Sequence, residues 1–278
     1  MNAGPVTRFA PSPNGYLHLG HAYCAIVAHD LAAREGGRFL LRIEDIDGPR
    51  SRPEFADAIR RDLEWLGLEW HEVAPQSTRL ELYAQAAREL EQERFAYRCS
   101  CTRQEIAGLE HRIGSDGVEY PGSCKGLHRP EDFADAGQTA LRLDLDALLA
   151  ENRELVWQDR KAGTVIADPR EFGDVVIVRK DLPASYHLAA TLDDAADGVT
   201  LVTRGLDLFS STHVHRWLQE LLGLPVPDYW HHSLLLGEDG EKLAKSKGSP
   251  TLKDRRLSGE DGRGLADRLR AMQRELGT

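Results

Sequence analysis

The first thirty-odd residues impose an order that few folds accept. Val6-Thr7-Arg8-Phe9-Ala10 reads as a short strand, Pro11-Ser12-Pro13-Asn14-Gly15 as a turn-rich loop, and Ala22 to Ala33 as an apolar helix opened by His18-Leu19-Gly20-His21. Strand, glycine-containing loop and helix form the unit from which parallel sheets are built. At the helix start the first N–H groups lack intrahelical partners and the helix dipole is positive. Gly20 lets a ligand approach the backbone there, so two imidazoles and a glycine suit an anion. A four-residue motif recurs by chance, and an ordinary helix start is its plain reading. The weight comes from what accompanies it.

Alternation continues. Arg38 to Ile43 is strand-like and ends in the carboxylate-rich loop Glu44-Asp45-Ile46-Asp47-Gly48-Pro49. Pro53 starts a helix with Phe55, Ile59, Leu63 and Leu66 on one face, and Arg79 to Arg94 forms another with Tyr83, Ala87 and Leu90 inward. From Cys99 to about Arg170 glycines, prolines and short turns dominate, with one alternating strand at Ala140 to Leu145. Then come a continuous strand (Asp174 to Arg179), a helix (Ser185 to Ala195), a strand (Val199 to Thr203) and a helix (Ser211 to Leu222). The pattern predicts an α/β chain with a Rossmann-like, doubly wound parallel sheet. Its halves span 1–98 and 173–248, an inserted subdomain spans 99–172, and a short tail spans 249–278.

The 278 residues suffice for a substantial core, and 41% apolar with 29% charged residues describes an ordinary globule. A formal charge of −10 argues against nonspecific nucleic-acid binding through the overall field, while leaving room for local basic surface. Lys253, Arg255, Arg256, Arg263, Arg268, Arg270 and Arg274 are candidates for such surface, a solvated helix face being the plain alternative. No apolar run approaches the roughly 20 residues of a membrane helix. Met1 to Pro5 carries no signal pattern, so a cytoplasmic protein with no membrane partner is expected.

Cysteine usage fits a reducing compartment. Cys24 reads as a small buried hydrophobe, whereas Cys99, Cys101 and Cys124 cluster in the turn-rich segment and suggest a metal before a disulfide. Zinc takes four ligands. Tyr120, His111 and His128 are the candidates for the fourth, and spacing alone favours a histidine. The site is expected to be structural, since so small an insertion has little core of its own.

Downstream, Lys242-Leu243-Ala244-Lys245-Ser246 follows the turn Glu238-Asp239-Gly240 and precedes Gly248. Two lysines three apart in a glycine-flanked loop can close over phosphates as mobile point charges. A solvated basic loop is the plain reading of that motif alone. Its pairing with His18-Leu19-Gly20-His21 across a βαβ chain favours the phosphate reading.

Taken together these motifs resemble the class I aminoacyl-tRNA synthetases, with HLGH in place of HIGH and KLAKS in place of KMSKS. The resemblance narrows to the glutamyl/glutaminyl branch through Arg8-Phe9-Ala10-Pro11-Ser12-Pro13-Asn14-Gly15, Arg42-Ile43-Glu44-Asp45-Ile46-Asp47, Tyr186-His187-Leu188-Ala189 with Asp193-Asp194, and Arg204-Gly205-Leu206-Asp207-Leu208 with Thr212 and Leu221-Leu222-Gly223. These matches run in family order from Arg8 to Ser246. Full glutamyl enzymes continue into a large anticodon-binding part, so a chain ending at Thr278 resembles their truncated paralogue family, the glutamyl-Q tRNA(Asp) synthetases. Ala190, where bacterial glutamyl enzymes carry asparagine, points the same way.

The resemblance implies tRNA-independent activation of L-glutamate by ATP, with Mg²⁺, to glutamyl-adenylate. Transfer to the queuosine of the tRNA(Asp) anticodon stem-loop follows, and a monomer is expected. It implies a glutamate site of Arg8, Phe9, Ala10, Pro11, Ser12, Glu44, Tyr186 and Arg204, an ATP site of His18, Gly20, His21 and Lys245, and catalysis by His18, His21, Lys242 and Lys245. One structural Zn²⁺ would be held by Cys99, Cys101, Tyr120 and Cys124, the family pointing to the tyrosine. The chemistry agrees. Arg8 and Arg204 can each pair bidentately with a carboxylate, Glu44 can take the ammonium, and Tyr186 supplies a hydrogen-bonding wall. For either arginine alone, a surface ion pair is the plainer reading. Two alternatives are a truncated glutamyl- or glutaminyl-tRNA synthetase charging a tRNA 3′ end and a noncatalytic synthetase-like regulator.

Overall fold

Strand β1 (Val6–Phe9) is buried at all four positions because helices and sheet cover both its faces. The computed structural model describes residues 4–108, 113–114, 117–127, 139–235 and 250–275. After β1 come α1 (Leu19–Arg34), β2 (Arg38–Leu41), α2 (Pro53–Trp65), β3 (His71–Glu72), α3 (Leu80–Gln92) and β4 (Ala96–Cys99). The middle of the chain supplies α4 (Arg103–Ala107), β5 (Ile113–Gly114), β6 (Gly117–Val118), β7 (Ala140–Leu143), α5 (Leu145–Ala150), β8 (Val156–Asp159), β9 (Gly163–Ile166) and β10 (Val176–Val178). Then follow α6 (Tyr186–Ala196), β11 (Leu201–Gly205), α7 (Ser211–Leu221), β12 (Asp228–His232), α8 (Leu252–Leu257) and α9 (Gly262–Glu275).

Two parallel sets of strands meet at β1. On one side lie β2 and β3, parallel to it in order; on the other lie β11, β12 and β8, with β9 hairpinned antiparallel onto β8. The Thr200 N–H donates to the Val6 carbonyl at 3.0 Å, and the Val6 N–H donates to Thr200 Oγ1 at 2.9 Å, stitching β1 to the start of β11. Strand order therefore departs in opposite directions from the β1/β11 junction. In open α/β sheets a crevice opens at such a point, at the carboxyl ends of the strands.

Helix α1 is apolar on nearly all sides, which only a doubly covered helix tolerates. Sheet strands cover one flank, and Leu265, Ala266 and Leu269 of α9 join Ile26, Phe39 and Ile59 in one core on the other. The last residues are thus a helix pair docked on the first half, pinned by Arg270 Nε to Asp30 Oδ2 at 2.8 Å. Of the tail cations read as possible basic surface, Arg255 and Arg268 pair with Glu260, and Arg256 pairs with Asp62. Between α1 and β2, Gly37 is required by proximity, because a Cβ there would lie 1.9 Å from the Pro5 carbonyl oxygen.

A second, antiparallel sheet of β10, β7 and β4 packs through Leu141, Leu143 and Ile177 against α3, α6 and α7. Two strands depart from the sequence reading. The run around Val176 was expected to resume the parallel core but pairs antiparallel with β7, and β8, which the reading did not mark within the expected insertion, pairs parallel with β12. Short apolar runs do not encode their partner strand, so periodicity finds the strand and misses its sheet. The fold is that of mixed sheets with flanking helices. Among the described residues no helix is long and apolar enough to cross a membrane.

Candidate active site and cysteine cluster

A cavity of about 580 Å³ opens at the β1/β11 junction. Arg8, Phe9, Ala10, Pro11, Ser12, His18, Gly20, His21, Glu44, Tyr186 and Arg204 all line it. The structure thus brings together every residue expected around glutamate and ATP except Lys242 and Lys245, which lie outside the described residues. Tyr23, Asn14, Thr203, Asp207, Leu208 and His232 are also part of the wall.

His18 is the N-cap of α1. Its Nδ1 accepts from the Gly20 N–H at 3.1 Å, and His21 Nδ1 accepts from the His18 N–H at 3.3 Å, a capping box built from two imidazoles. The rings stand 3.9 Å apart. With each Nδ1 acting as acceptor, the ring proton resides on Nε2, so both residues offer an Nε2–H donor at the positive end of the helix. The first turn carries no acidic residue. The N-cap that organises the helix is therefore also an anion-binding terminus.

Arg8 and Arg204 differ in how their charge is met. Arg8 was expected to be ready for bidentate pairing with a substrate carboxylate. Instead its Nε and Nη2 bond Asp194 at 2.9 and 3.2 Å and its Nη1 bonds the Thr203 carbonyl at 3.0 Å. The neighbouring carboxylate takes that edge of the guanidinium and leaves its remaining N–H groups. Burial pushes the Asp194 carboxyl upward, but Arg8 and Arg42 outweigh it and hold it below the ordinary carboxylate range. Arg204 is also buried, yet among the described residues it has no carboxylate partner. Its Nε donates to His231 Nε2 at 3.1 Å and its Nη1 to the Tyr186 hydroxyl at 3.0 Å, with His215 Nδ1 at 3.3 Å and Thr212 Oγ1 on Nη2. Burial and then the Arg204 charge push His215 well below its ordinary value and His231 down to about 4, so both stay neutral. A buried cation on neutral acceptors attracts an anion.

Behind Glu44 sits Arg42, fully buried, with Asp194 at 2.9 Å, Asp197 at 3.0 Å, Glu44 at 3.3 Å and Asp193 at 3.8 Å. Arg79 closes the network on Asp193 and Asp197. Burial lifts the Glu44 carboxyl to about 7 against the pull of Arg42 and Arg8. A further cation entering the cavity would favour its ionised form.

The cysteine cluster lies at the edge of the antiparallel sheet. The Sγ atoms of Cys99, Cys101 and Cys124 all lie within 4.8 Å of one another. The Tyr120 hydroxyl is 3.2 Å from Cys101 Sγ and 2.9 Å from the Cys124 N, which donates to it. Burial raises the Cys124 thiol, but hydrogen bonds from Tyr120 and Cys101 outweigh this and bring it down to about 6, favouring thiolate. Three sulfurs close to one another, with the Tyr120 hydroxyl beside Cys101, form a donor set that could hold a metal ion. His111 and His128, the alternatives for the fourth position, lie outside the described residues.

Sequence reasoning singled out neither Asp159, His215 nor His231 for the site. All three are buried polar groups, His215 in a predicted helix and Asp159 and His231 in the strands β8 and β12 that the sequence reading did not mark, and nothing local distinguishes them from core. Asp194 and Thr212 stood in the family signature without a role.

Residues 6–269 match the family model described as "tRNA synthetases class I (E and Q), catalytic domain". A Rhodobacter capsulatus protein named glutamyl-Q tRNA(Asp) synthetase is 46% identical, over 91% of this chain and 95% of that protein. The glutamate–tRNA ligase of Aquifex aeolicus is 37% identical over 91% of this chain, which spans 54% of that ligase. Among solved structures, a glutamate tRNA ligase from Elizabethkingia meningosepticum, in complex with its amino acid, superposes with a TM-score of 0.69 at 27% identity. The match covers 92% of this chain and 53% of that one.

Proposed function

The chain belongs to the class I tRNA synthetases for glutamate and glutamine, a family of aminoacyl-tRNA ligases, and from this membership we propose that it activates L-glutamate with ATP, without tRNA, and transfers it to the queuosine of the tRNA(Asp) anticodon stem-loop. It does so as a cytoplasmic monomer. The observation that carries the reading is the buried Arg204 guanidinium, resting on neutral acceptors beside Glu44, in the cavity that also receives the His18/His21 helix terminus. Two arginines, Arg204 and the remaining N–H groups of Arg8, with one carboxylate and one anion-binding terminus, match a substrate with two carboxylates and an ammonium and a triphosphate as co-substrate.

In the reaction, a glutamate α-carboxylate oxygen attacks the α-phosphorus of ATP. The new P–O bond forms as the bond to pyrophosphate breaks. Glu44 holds the ammonium; Arg204, with Tyr186, holds a carboxylate; Phe9, Ala10, Pro11 and Ser12 shape the floor. Nothing here needs a protein nucleophile, since positioning and charge stabilisation suffice. His18 and His21 donate their Nε2–H groups to phosphate oxygens, and the Gly20 turn lets the phosphates approach. Lys242 and Lys245 stabilise the departing pyrophosphate. Mg²⁺, bound with ATP, supplies further neutralisation of the phosphates. A hydroxyl of the queuosine cyclopentenediol then attacks the glutamyl carbonyl and AMP leaves. The antiparallel sheet with its cysteines serves as an inserted acceptor-side unit. Cys99, Cys101, Tyr120 and Cys124 hold a zinc ion that fixes its fold.

Similarity to glutamate–tRNA ligases favours one rival, charging of a tRNA 3′ end. ATP–pyrophosphate exchange with glutamate and no tRNA tests activation; no exchange refutes catalysis, and exchange that needs tRNA(Glu) supports the rival. Labelling of tRNA(Asp) with and without queuosine then tests the acceptor. Equal labelling of both overturns the queuosine assignment.

A further inference from the structure

Arg204 rests on a relay set behind the cavity wall. Its Nε–H donates to His231 Nε2 at 3.1 Å, and His231 Nδ1 faces Asp159 Oδ2 at 2.7 Å. Both side chains are 1% exposed. Asp159 lies at the end of β8, where its Oδ1 accepts the Lys161 and Ala162 N–H groups, each at 2.8 Å, and its Oδ2 also accepts the His231 N–H at 3.2 Å. A carboxylate held this way can only accept from the imidazole, so the ring proton sits on Nδ1. The Nε2 lone pair is then left for Arg204. Tyr229 stacks parallel to the His231 ring with centroids 5.9 Å apart, and Trp157 meets it edge-on at 5.7 Å.

We propose that Asp159 and His231 are positioning residues for substrate recognition: they fix the imidazole tautomer that aims Arg204 into the cavity, and they keep the carboxylate one residue away from it, so its charge is left to select a substrate carboxylate over a carboxamide. The inference rests on the role given to Arg204 under the proposed function. A direct ion pair would orient the guanidinium equally well but would neutralise it, as Asp194 does for one edge of Arg8. An interposed neutral imidazole gives orientation without neutralisation, as partners behind metal ligands do for those ligands.

Glutamate-dependent ATP–pyrophosphate exchange by the full chain tests this. In Asp159→Asn the two turn N–H groups retain the amide oxygen, so the NH₂ takes the place of the Oδ2 acceptor: the His231 backbone N–H loses its partner, and the ring proton is driven from Nδ1 to Nε2 and set against the Arg204 Nε–H. The expected result is a KM for glutamate raised about 10- to 100-fold. Maximal rate and KM for ATP should stay within about threefold, and preference for glutamate over glutamine should fall. His231→Leu should behave alike, whereas His231→Gln, which can accept from Arg204 and donate to Asp159, should recover most of the affinity. Histidine-¹⁵N spectra of the unaltered chain should place the His231 proton on Nδ1, a readout that needs no variant to fold. Unchanged glutamate KM and selectivity in Asp159→Asn and His231→Leu, or a proton on Nε2 in the unaltered chain, overturns the proposal. Absence of exchange in the unaltered chain overturns the proposed function instead.

Discussion

Glu44 is half protonated near neutral pH, because burial lifts its carboxyl to about 7. Ammonium recognition needs the ionised form. As pH falls through about 7 the acid form takes over, and each further unit weakens glutamate binding about tenfold. The KM for glutamate in the exchange reaction should therefore climb between about pH 8 and pH 6. In Glu44→Gln it should be high and flat across that range, and a flat profile in the unaltered chain would remove Glu44 from ammonium recognition. Arg204→Lys should raise the same KM by about two orders of magnitude, since a point charge cannot reproduce the fork that Tyr186, Thr212 and His231 now hold. Arg8, Glu44, Tyr186 and Arg204 were legible in the sequence because they stand at strand ends and helix starts within recognisable strings. Asp193 and Asp194 show what was not. They are adjacent, yet about 100° of helix rotation turns one to Gln76, Tyr83 and Arg79, with Arg42 at 3.8 Å, and the other to Arg8 and Arg42, both at 2.9 Å. Burial leaves the first raised while its arginines hold the second low, and no string reveals that difference.

Among the elements, α1 couples stability to chemistry through its cap. His18→Ala removes the Nδ1 acceptor for Gly20, costing about 1 kcal/mol of stability by thermal melting. The same change should lower the exchange rate by about 10²-fold or more, because a phosphate donor goes with it. A variant that melts lower but exchanges normally would confine His18 to capping. At the other sheet, Cys124→Ser should abolish the single zinc ion expected per chain, measured by elemental analysis, and should loosen the segment around β4 and β7 to proteolysis. A fully loaded serine variant would refute the ligand set. The helices α1, α2, α3, α6 and α7 followed from apolar spacing almost to their ends. The strand β10 was found but given the wrong sheet, and β8 was not marked at all, since its four residues, Val156–Asp159, stand in a segment read as turns.

Across the whole molecule, Arg42 joins β2 to α6 by pairing with Glu44, Asp194 and Asp197 at one point without solvent. Arg42→Leu leaves these carboxylates facing each other and should cost about 3–5 kcal/mol in chemical denaturation. A loss under about 1 kcal/mol would mean the network is held by Arg8 and Arg79 alone. This pairing was invisible in the sequence because it spans 155 residues, and only the β1/β11 junction, a product of the sheet order, brings its members together. The same distance acts in time. Arg8 and Asp194 are 186 positions apart. At about 5–20 residues per second, a ribosome delivers the aspartate roughly 10–40 s after the arginine. Throughout that interval the nascent first half holds two guanidiniums, Arg8 and Arg42, that cannot yet be taken out of water. The pocket therefore cannot take its final form until the chain has been made past Asp194.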